Sequence, residues 1–237
     1  RVWWCAELLD LGWGEEAERK LQLAVECLKA VPHAGLAPHA PYTTSAELYR
    51  LAAITARQRH WLLTTHLAET AGEHRLFDFF ERAPTLEELG LLETPSLIAH
   101  ANHLSDADAD LLARAGASVV HCPRTHRFFQ RSPAPWRQWQ RSGLNVCLGT
   151  DSLASNESLD LRAEMRTLVG LAPREVLAMA TVNAARALHR SDQMGKIAPG
   201  SMADLAAVPL DGDPYESVVC SEQPVCFVMV GGKVQRQ

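Results

Sequence analysis

Short apolar runs rich in branched side chains recur at residues 2–7, 35–39, 61–66, 96–100, 117–121 and 145–151, and between them the apolar positions switch to helical spacing. Short continuous apolar runs suit strands buried on both faces, whereas repeats at three and four residues put an apolar stripe along one side of a helix. Residues 15–30 are of the second kind, with Ala17, Leu21, Ala24, Val25 and Leu28 in one stripe. Residues 45–59 repeat the pattern behind Ser45, a side chain able to cap the first turn. The helix predicted at 106–114 follows Ser105 and stops before Gly116, whose missing Cβ suits a left-handed cap. Two later helices are predicted at 157–169 and 173–189, the second with Pro173 in the first turn, where its absent N–H has no partner to lose. Strand followed by helix, repeated, predicts an α/β fold with a parallel sheet of βα units.

Beyond His189 the pattern changes to Gly195-Lys196-Ile197-Ala198-Pro199-Gly200, then strand-like runs at 204–208 and 225–230 and a Gly231-Gly232 turn. Residues 1–190 therefore form one predicted unit and 191–237 a second, β-rich piece. The 237 residues suit one (β/α)8 barrel, which takes about 250 residues, yet only six barrel strands are predicted.

In a parallel barrel the C-terminal strand ends converge on one face. The predicted strands carry His39, His66, His100, His121 and Asp151 at those ends. One histidine at a strand end is usually an ordinary core residue; a ligand-type group at strand end after strand end is a pattern. His33, His60, His74, His103 and His189 fall in helices or loops and read as ordinary. Imidazole and carboxylate suit a divalent ion such as zinc or iron, which lowers the pKa of a water to near 7. His66 and Asp151 are the ligands this chain can offer. Glu69, three residues after His66, can move protons between an attacking water and a substrate nitrogen.

Composition narrows the partners. With 47% apolar and 22% charged residues the chain can bury a large core, and a net charge of −5 without a Lys/Arg run argues against nucleic acid. No run approaches the roughly 20 apolar residues of a membrane span, and no basic and apolar leader opens the sequence, so a cytoplasmic protein is expected. Six cysteines without a CxxC pair read as reduced thiols.

Five motifs in order carry a resemblance: Pro38-His39-Ala40-Pro41-Tyr42-Thr43-Thr44-Ser45, His66-Leu67-Ala68-Glu69-Thr70, Ala99-His100-Ala101-Asn102-His103-Leu104, His121-Cys122-Pro123, and Leu148-Gly149-Thr150-Asp151-Ser152 running into Ala154-Ser155-Asn156. Over nearly the whole chain these resemble the amidohydrolase superfamily, in the branch of cytosine deaminase, S-adenosylhomocysteine/methylthioadenosine deaminase and the s-triazine chlorohydrolases. The resemblance implies a (β/α)8 TIM-type barrel, here incomplete with strands 3–8 present, and a small β-sandwich subdomain to which 191–237 contribute. It implies one divalent metal, zinc first and iron second, held by His66 and Asp151. Glu69 and His100 would act as acid/base and polarising groups that also touch substrate, Asp151 would take a proton from the water, and His39 would contact substrate. The implied reaction is hydrolytic deamination of an amino-substituted N-heterocycle, with chloride or a cyclic amide as the alternative leaving group. The implied partner is a small heterocycle, with no nucleic acid and no membrane; a homo-oligomer is compatible.

Two departures qualify the expectation. The family's His-x-His pair, which supplies two ligands on its first strand, occurs nowhere in the sequence. That absence, with a start at Arg1, predicts an N-terminally truncated sequence that is inactive alone; the competing reading is a non-catalytic fragment or binding module. Arg124-Thr125-His126-Arg127-Phe128-Phe129 stands where many relatives carry serine and asparagine, which suggests a substrate with an anionic or extended polar group.

Overall fold

The computed structural model describes residues 2–11, 16–73 and 83–236; Arg1, the Glu15 start of the first predicted helix and His74 lie outside the described residues. All six predicted barrel strands are present, as β1 Trp4–Leu8, β2 Ala34–Pro38, β3 Leu62–Leu67, β4 Leu97–His100, β5 Ser118–His121 and β6 Asn145–Leu148. They make one sheet in the order β1-β2-β3-β4-β5-β6. The β1/β2, β2/β3, β3/β4 and β4/β5 pairs are parallel, with Leu67 opposite His100 across β3 and β4. Each strand thus lies beside its predecessor, the connectivity of a (β/α)8 barrel. The strand predicted to reach Asp151 stops at Leu148, and Asp151 itself, at φ +56°, lies in the left-handed region that no strand can use.

The helices are α1 Ala17–Leu28, α2 Ala46–Arg59, α3 Asp106–Arg114, α4 Pro123–Phe128, α5 Trp136–Ser142, α6 Leu161–Arg166, α7 Pro173–Ala180, α8 Val182–Ala187 and α9 Pro214–Val219. A three-stranded antiparallel sheet, β7 Leu205–Ala207, β8 Phe227–Val230 and β9 Lys233–Arg236, follows the parallel one. No helix among the described residues is long and apolar enough to cross a membrane. The chain divides into two compact units, Arg1–Val120 with Ala134–Asn145, and His121–Pro133 with Val146–Gln237.

In the first unit, α2 lays Leu48, Tyr49, Ala52, Ala53 and Ala56 against β2 and β3, all buried. A fully buried leucine of this kind stabilises the fold by about 1.5–3 kcal/mol. The predicted caps hold the helix ends: Ser45 Oγ accepts the Leu48 N–H at 3.2 Å, and Ser105 Oγ accepts the Asp108 N–H at 3.0 Å. Gly116 closes the end of α3 at φ +77°. Gly35 lets β2 sit tightly between its neighbours, since a methyl group there would strike Cys5 Sγ and lie 3.0 Å from the Leu62 carbonyl oxygen.

In the second unit two predicted helices are cut short. The one expected over 157–169 is confined to α6, because Asp160 caps it by accepting the Arg162 N–H at 3.0 Å and residues before it are taken by side-chain turns. The one expected over 173–189 breaks at Thr181 (φ −126°, ψ −91°), whose hydroxyl donates back to the Leu177 carbonyl at 2.7 Å. Gly231 and Gly232, both at positive φ, make the predicted turn between β8 and β9.

Candidate active site

The first unit brings His39, His66, Glu69 and His100 together. The His39 and His66 ring centroids are 5.0 Å apart and those of His66 and His100 5.5 Å. The carbonyl of His39 is the hinge of this arrangement. It accepts from the His66 backbone N–H at 2.9 Å, from His66 Nδ1 at 3.0 Å and from the Thr65 hydroxyl at 3.3 Å. Thr65 in turn meets the buried Tyr49 hydroxyl at 2.5 Å. A carbonyl can only accept, so the proton of neutral His66 sits on Nδ1 and the lone pair is on Nε2, the pattern of a metal-ligating imidazole oriented by a backbone oxygen. The residue types and this tautomer fit a divalent ion. His39 is fixed the same way. Its Nδ1 lies 2.7 Å from Thr43 Oγ1, which gives its own proton to the Ala40 carbonyl at 3.1 Å, so Thr43 accepts from Nδ1–H.

Glu69 Oε1 lies 3.5 Å from His100 Nε2, with both side chains largely shielded from solvent. The backbone here is strained: Ala68, His100 and Ala101 take φ of +50°, +72° and +55°, values that cost a side-chain-bearing residue free energy. Hydrogen bonds between distant segments hold that conformation. The Ala101 N–H reaches the Leu67 carbonyl at 3.0 Å, the His103 N–H reaches the Ala68 carbonyl at 3.0 Å, and the buried Trp139 indole donates to the Ala101 carbonyl at 3.3 Å. Asn102 Nδ2 donates to the Glu69 carbonyl at 3.0 Å. Glu73 completes the cradle, its Oε1 accepting the Glu69 and Thr70 N–H groups at 2.6 and 3.0 Å. Burial is the main cause that raises the Glu73 carboxyl above its ordinary range, against those backbone donors, which lower it.

Asp151 belongs to the second unit, at φ +56°, with its Oδ1 accepting the Ser152 N–H at 2.8 Å. The Thr150 carbonyl before it receives Asn156 Nδ2 at 2.7 Å, and the same nitrogen reaches Glu164 Oε1 at 2.6 Å. Buried His121 ends β5, its ring 5.3 Å from that of His126. A cavity of about 420 Å³ is lined here by Arg124, Phe128, Leu153, Ser155 and Asn156 among others. Arg124 spends its guanidinium within the unit, on Ser158 Oγ at 3.0 Å and Glu157 at 3.1 Å. Among the described residues no disulfide joins the six cysteines, and burial pushes Cys147 up to about 12, so it stays protonated at neutral pH.

Glu73, Trp139 and Glu164 are absent from the sequence-based candidates. For Glu164 a signal exists: it shares a helical stripe with Leu161, Met165 and Leu168, where a carboxylate is out of place. For Trp139 none exists, since its partner lies 38 residues away.

A profile described as the amidohydrolase family matches residues 14–235. The 5-methylthioadenosine/S-adenosylhomocysteine deaminase of Pyrococcus abyssi is 34% identical over 223 residues, covering 84% of this chain and 52% of that protein. The chain spans about half the length of the curated relatives it matches. Among solved structures, an adenosine deaminase from Xanthomonas campestris with bound zinc superposes with a TM-score of 0.86 at 28% identity, over 98% of this chain and 60% of that one. An atrazine chlorohydrolase from Arthrobacter aurescens, complexed with zinc and atraton, gives 0.88 at 23% identity over 98% and 60%, a likeness of fold.

Proposed function

This chain belongs to the amidohydrolase family, and from that premise we propose that the protein containing it deaminates an amino-substituted N-heterocycle, an adenine nucleoside or a related purine or pyrimidine, by hydrolysis. The observation that carries the reading is the Glu69 carboxylate 3.5 Å from His100 Nε2, beside a His66 whose Nε2 lone pair is set by the His39 carbonyl. Ammonia leaves a ring carbon poorly unless protonated, and Glu69 is the group positioned to carry that proton.

The roles follow from the donor chemistry. His66 and Asp151 offer an imidazole nitrogen and a carboxylate oxygen to one divalent ion, zinc in this reading. When bound, that ion acidifies and orients the hydrolytic water. Glu69 takes one proton of the hydrolytic water to the ring nitrogen and then carries the second, passed on from Asp151, to the departing amine. His100 polarises the oxygen that adds to the ring, Asp151 accepts the proton that oxygen sheds, and His39 presents Nε2 to the substrate. The antiparallel β7–β9 sheet supports assigning 1–190 to the barrel and 191–237 to a β-sandwich subdomain.

The test is ammonia release by the intact gene product across aminopurine nucleosides, aminopyrimidines, chloro-s-triazines and cyclic amides. Ammonia from the nucleosides is expected. Turnover confined to chlorotriazines or cyclic amides would transfer the site to the alternative leaving groups and sink the deaminase reading.

A further inference from the structure

The second unit holds a carboxylate to which the proposed chemistry gives no part. Glu164, on α6, is fully buried, and a buried carboxylate is costly unless donors surround it. Its Oε2 accepts the Arg124 backbone N–H at 2.8 Å, in the first turn of α4, the helix that follows β5. Its Oε1 accepts Asn156 Nδ2 at 2.6 Å, and the second hydrogen of that amide goes to the Thr150 carbonyl at 2.7 Å. That carbonyl belongs to the peptide entering Asp151, which is held at φ +56°. The same two segments are tied again by Thr125 Oγ1 and Ser155 Oγ, 2.9 Å apart and buried.

We infer that Glu164 is the positioning residue for Asp151: through Asn156 it fixes the Thr150–Asp151 peptide in its left-handed turn and clamps that turn to the segment after β5. The inference rests on the reading of Asp151 as metal ligand and proton acceptor. A strained turn persists only where its surroundings over-determine it, and the Asn156 amide is a strut with one hydrogen for each end. Glutamine at 164 would keep the volume but replace one acceptor by a donor facing either the Arg124 N–H or the Asn156 amide. One strut is then lost while the core stays filled.

The experiment compares Glu164→Gln, Asn156→Ala and Asp151→Asn in the intact gene product. It reads zinc affinity by chelator competition, amide hydrogen exchange over residues 149–156 in the zinc-free protein, and kcat against KM. Asp151→Asn should lose zinc. Glu164→Gln should bind zinc about 10- to 100-fold more weakly, as loss of a group that orients a ligand does, speed exchange across 149–156 without any metal present, and lower kcat more than it raises KM. Combining it with Asn156→Ala should weaken zinc no further than the worse single variant, because both cut one strut. Glu164→Gln with unchanged zinc affinity and exchange, while Asp151→Asn loses zinc, overturns the positioning role and leaves the ligand reading intact. If Asp151→Asn keeps zinc, the ligand reading is the one that fails, and the exchange result alone then decides whether Glu164 holds the turn. Should Glu164→Gln not fold, Asn156→Ala carries the same expectations from the other end of the strut.

Discussion

Each of the two units carries an acidic residue on a left-handed turn after a strand, and each props that turn with a buried glutamate, but the two props are built differently. In the first, Glu73 reaches back four residues and accepts the Glu69 and Thr70 N–H groups directly. In the second, Glu164 stands thirteen residues beyond Asp151 in the sequence and acts through the Asn156 amide while also gripping Arg124. The local prop fixes one loop. The remote one joins two segments, so it links the placement of Asp151 to the first turn of α4. A short contact closes a small loop at little entropic cost, whereas the remote one depends on α6 being docked first.

The largest effect expected is at Glu69 itself. Glu69→Gln should keep zinc and nucleoside binding but slow ammonia release by about 10²- to 10⁴-fold, the range for a lost proton shuttle; turnover near that of the parent would remove Glu69 from the chemistry. Next is the local prop. Glu73→Ala leaves two backbone N–H groups without their acceptor, costing about 1–3 kcal/mol each if they stay dry, and the shifted Glu69 should lower kcat by up to about 10²-fold with zinc retained. Retained zinc distinguishes this prop from Glu164, whose loss should weaken the metal. A chemical melt with a zinc assay checks both halves. Smaller still is Thr43→Val, which deprives His39 Nδ1–H of its acceptor; a neutral hydrogen bond of about 0.5–1.5 kcal/mol predicts KM raised by about 2- to 13-fold with kcat nearly unchanged.

The smallest effect is a matter of pH. Burial raises both Glu73 and Glu164 above their ordinary 4.5. The folded chain therefore holds these protons more tightly than the unfolded chain, so their contribution to stability is largest below 4.5 and is lost as pH rises through the folded value. The stability of the parent relative to Glu164→Gln should thus improve on acidification through that window, read from denaturant melts at stepped pH. A difference that stays flat would place the Glu164 carboxyl at its ordinary value.

Much of this was legible in the chain. Ser45, Ser105, Gly116 and Pro173 mark helix ends that the structure keeps, because capping is a contact within one turn. Strands β2 to β6 were legible because a parallel sheet buries most positions on both faces, which favours apolar runs; β1, with Trp4 and Glu7 exposed, is only partly buried. The places of His66, His100 and His121 at or near strand ends were legible because the apolar runs mark where a strand stops. The helices α4, α5 and α9 were not, being too short for a periodic stripe to stand out. The break at Thr181 was also hidden, since a hydroxyl returning to the turn before it looks in sequence like any helical threonine.

What the sequence determined by itself is therefore the class of fold, the order of its strands and the residue types at their ends, all consequences of periodicity and local backbone chemistry. Only the tertiary structure decided which nitrogen of His66 and His39 carries the proton, which residues turn left-handed, and which buried glutamates hold those turns. For His66 and Glu164 those outcomes depend on groups far along the chain, the His39 carbonyl and the Arg124 N–H, a pairing that exists only once the elements have packed; His39 and Glu73 take partners within four residues, and there the folded loop decides.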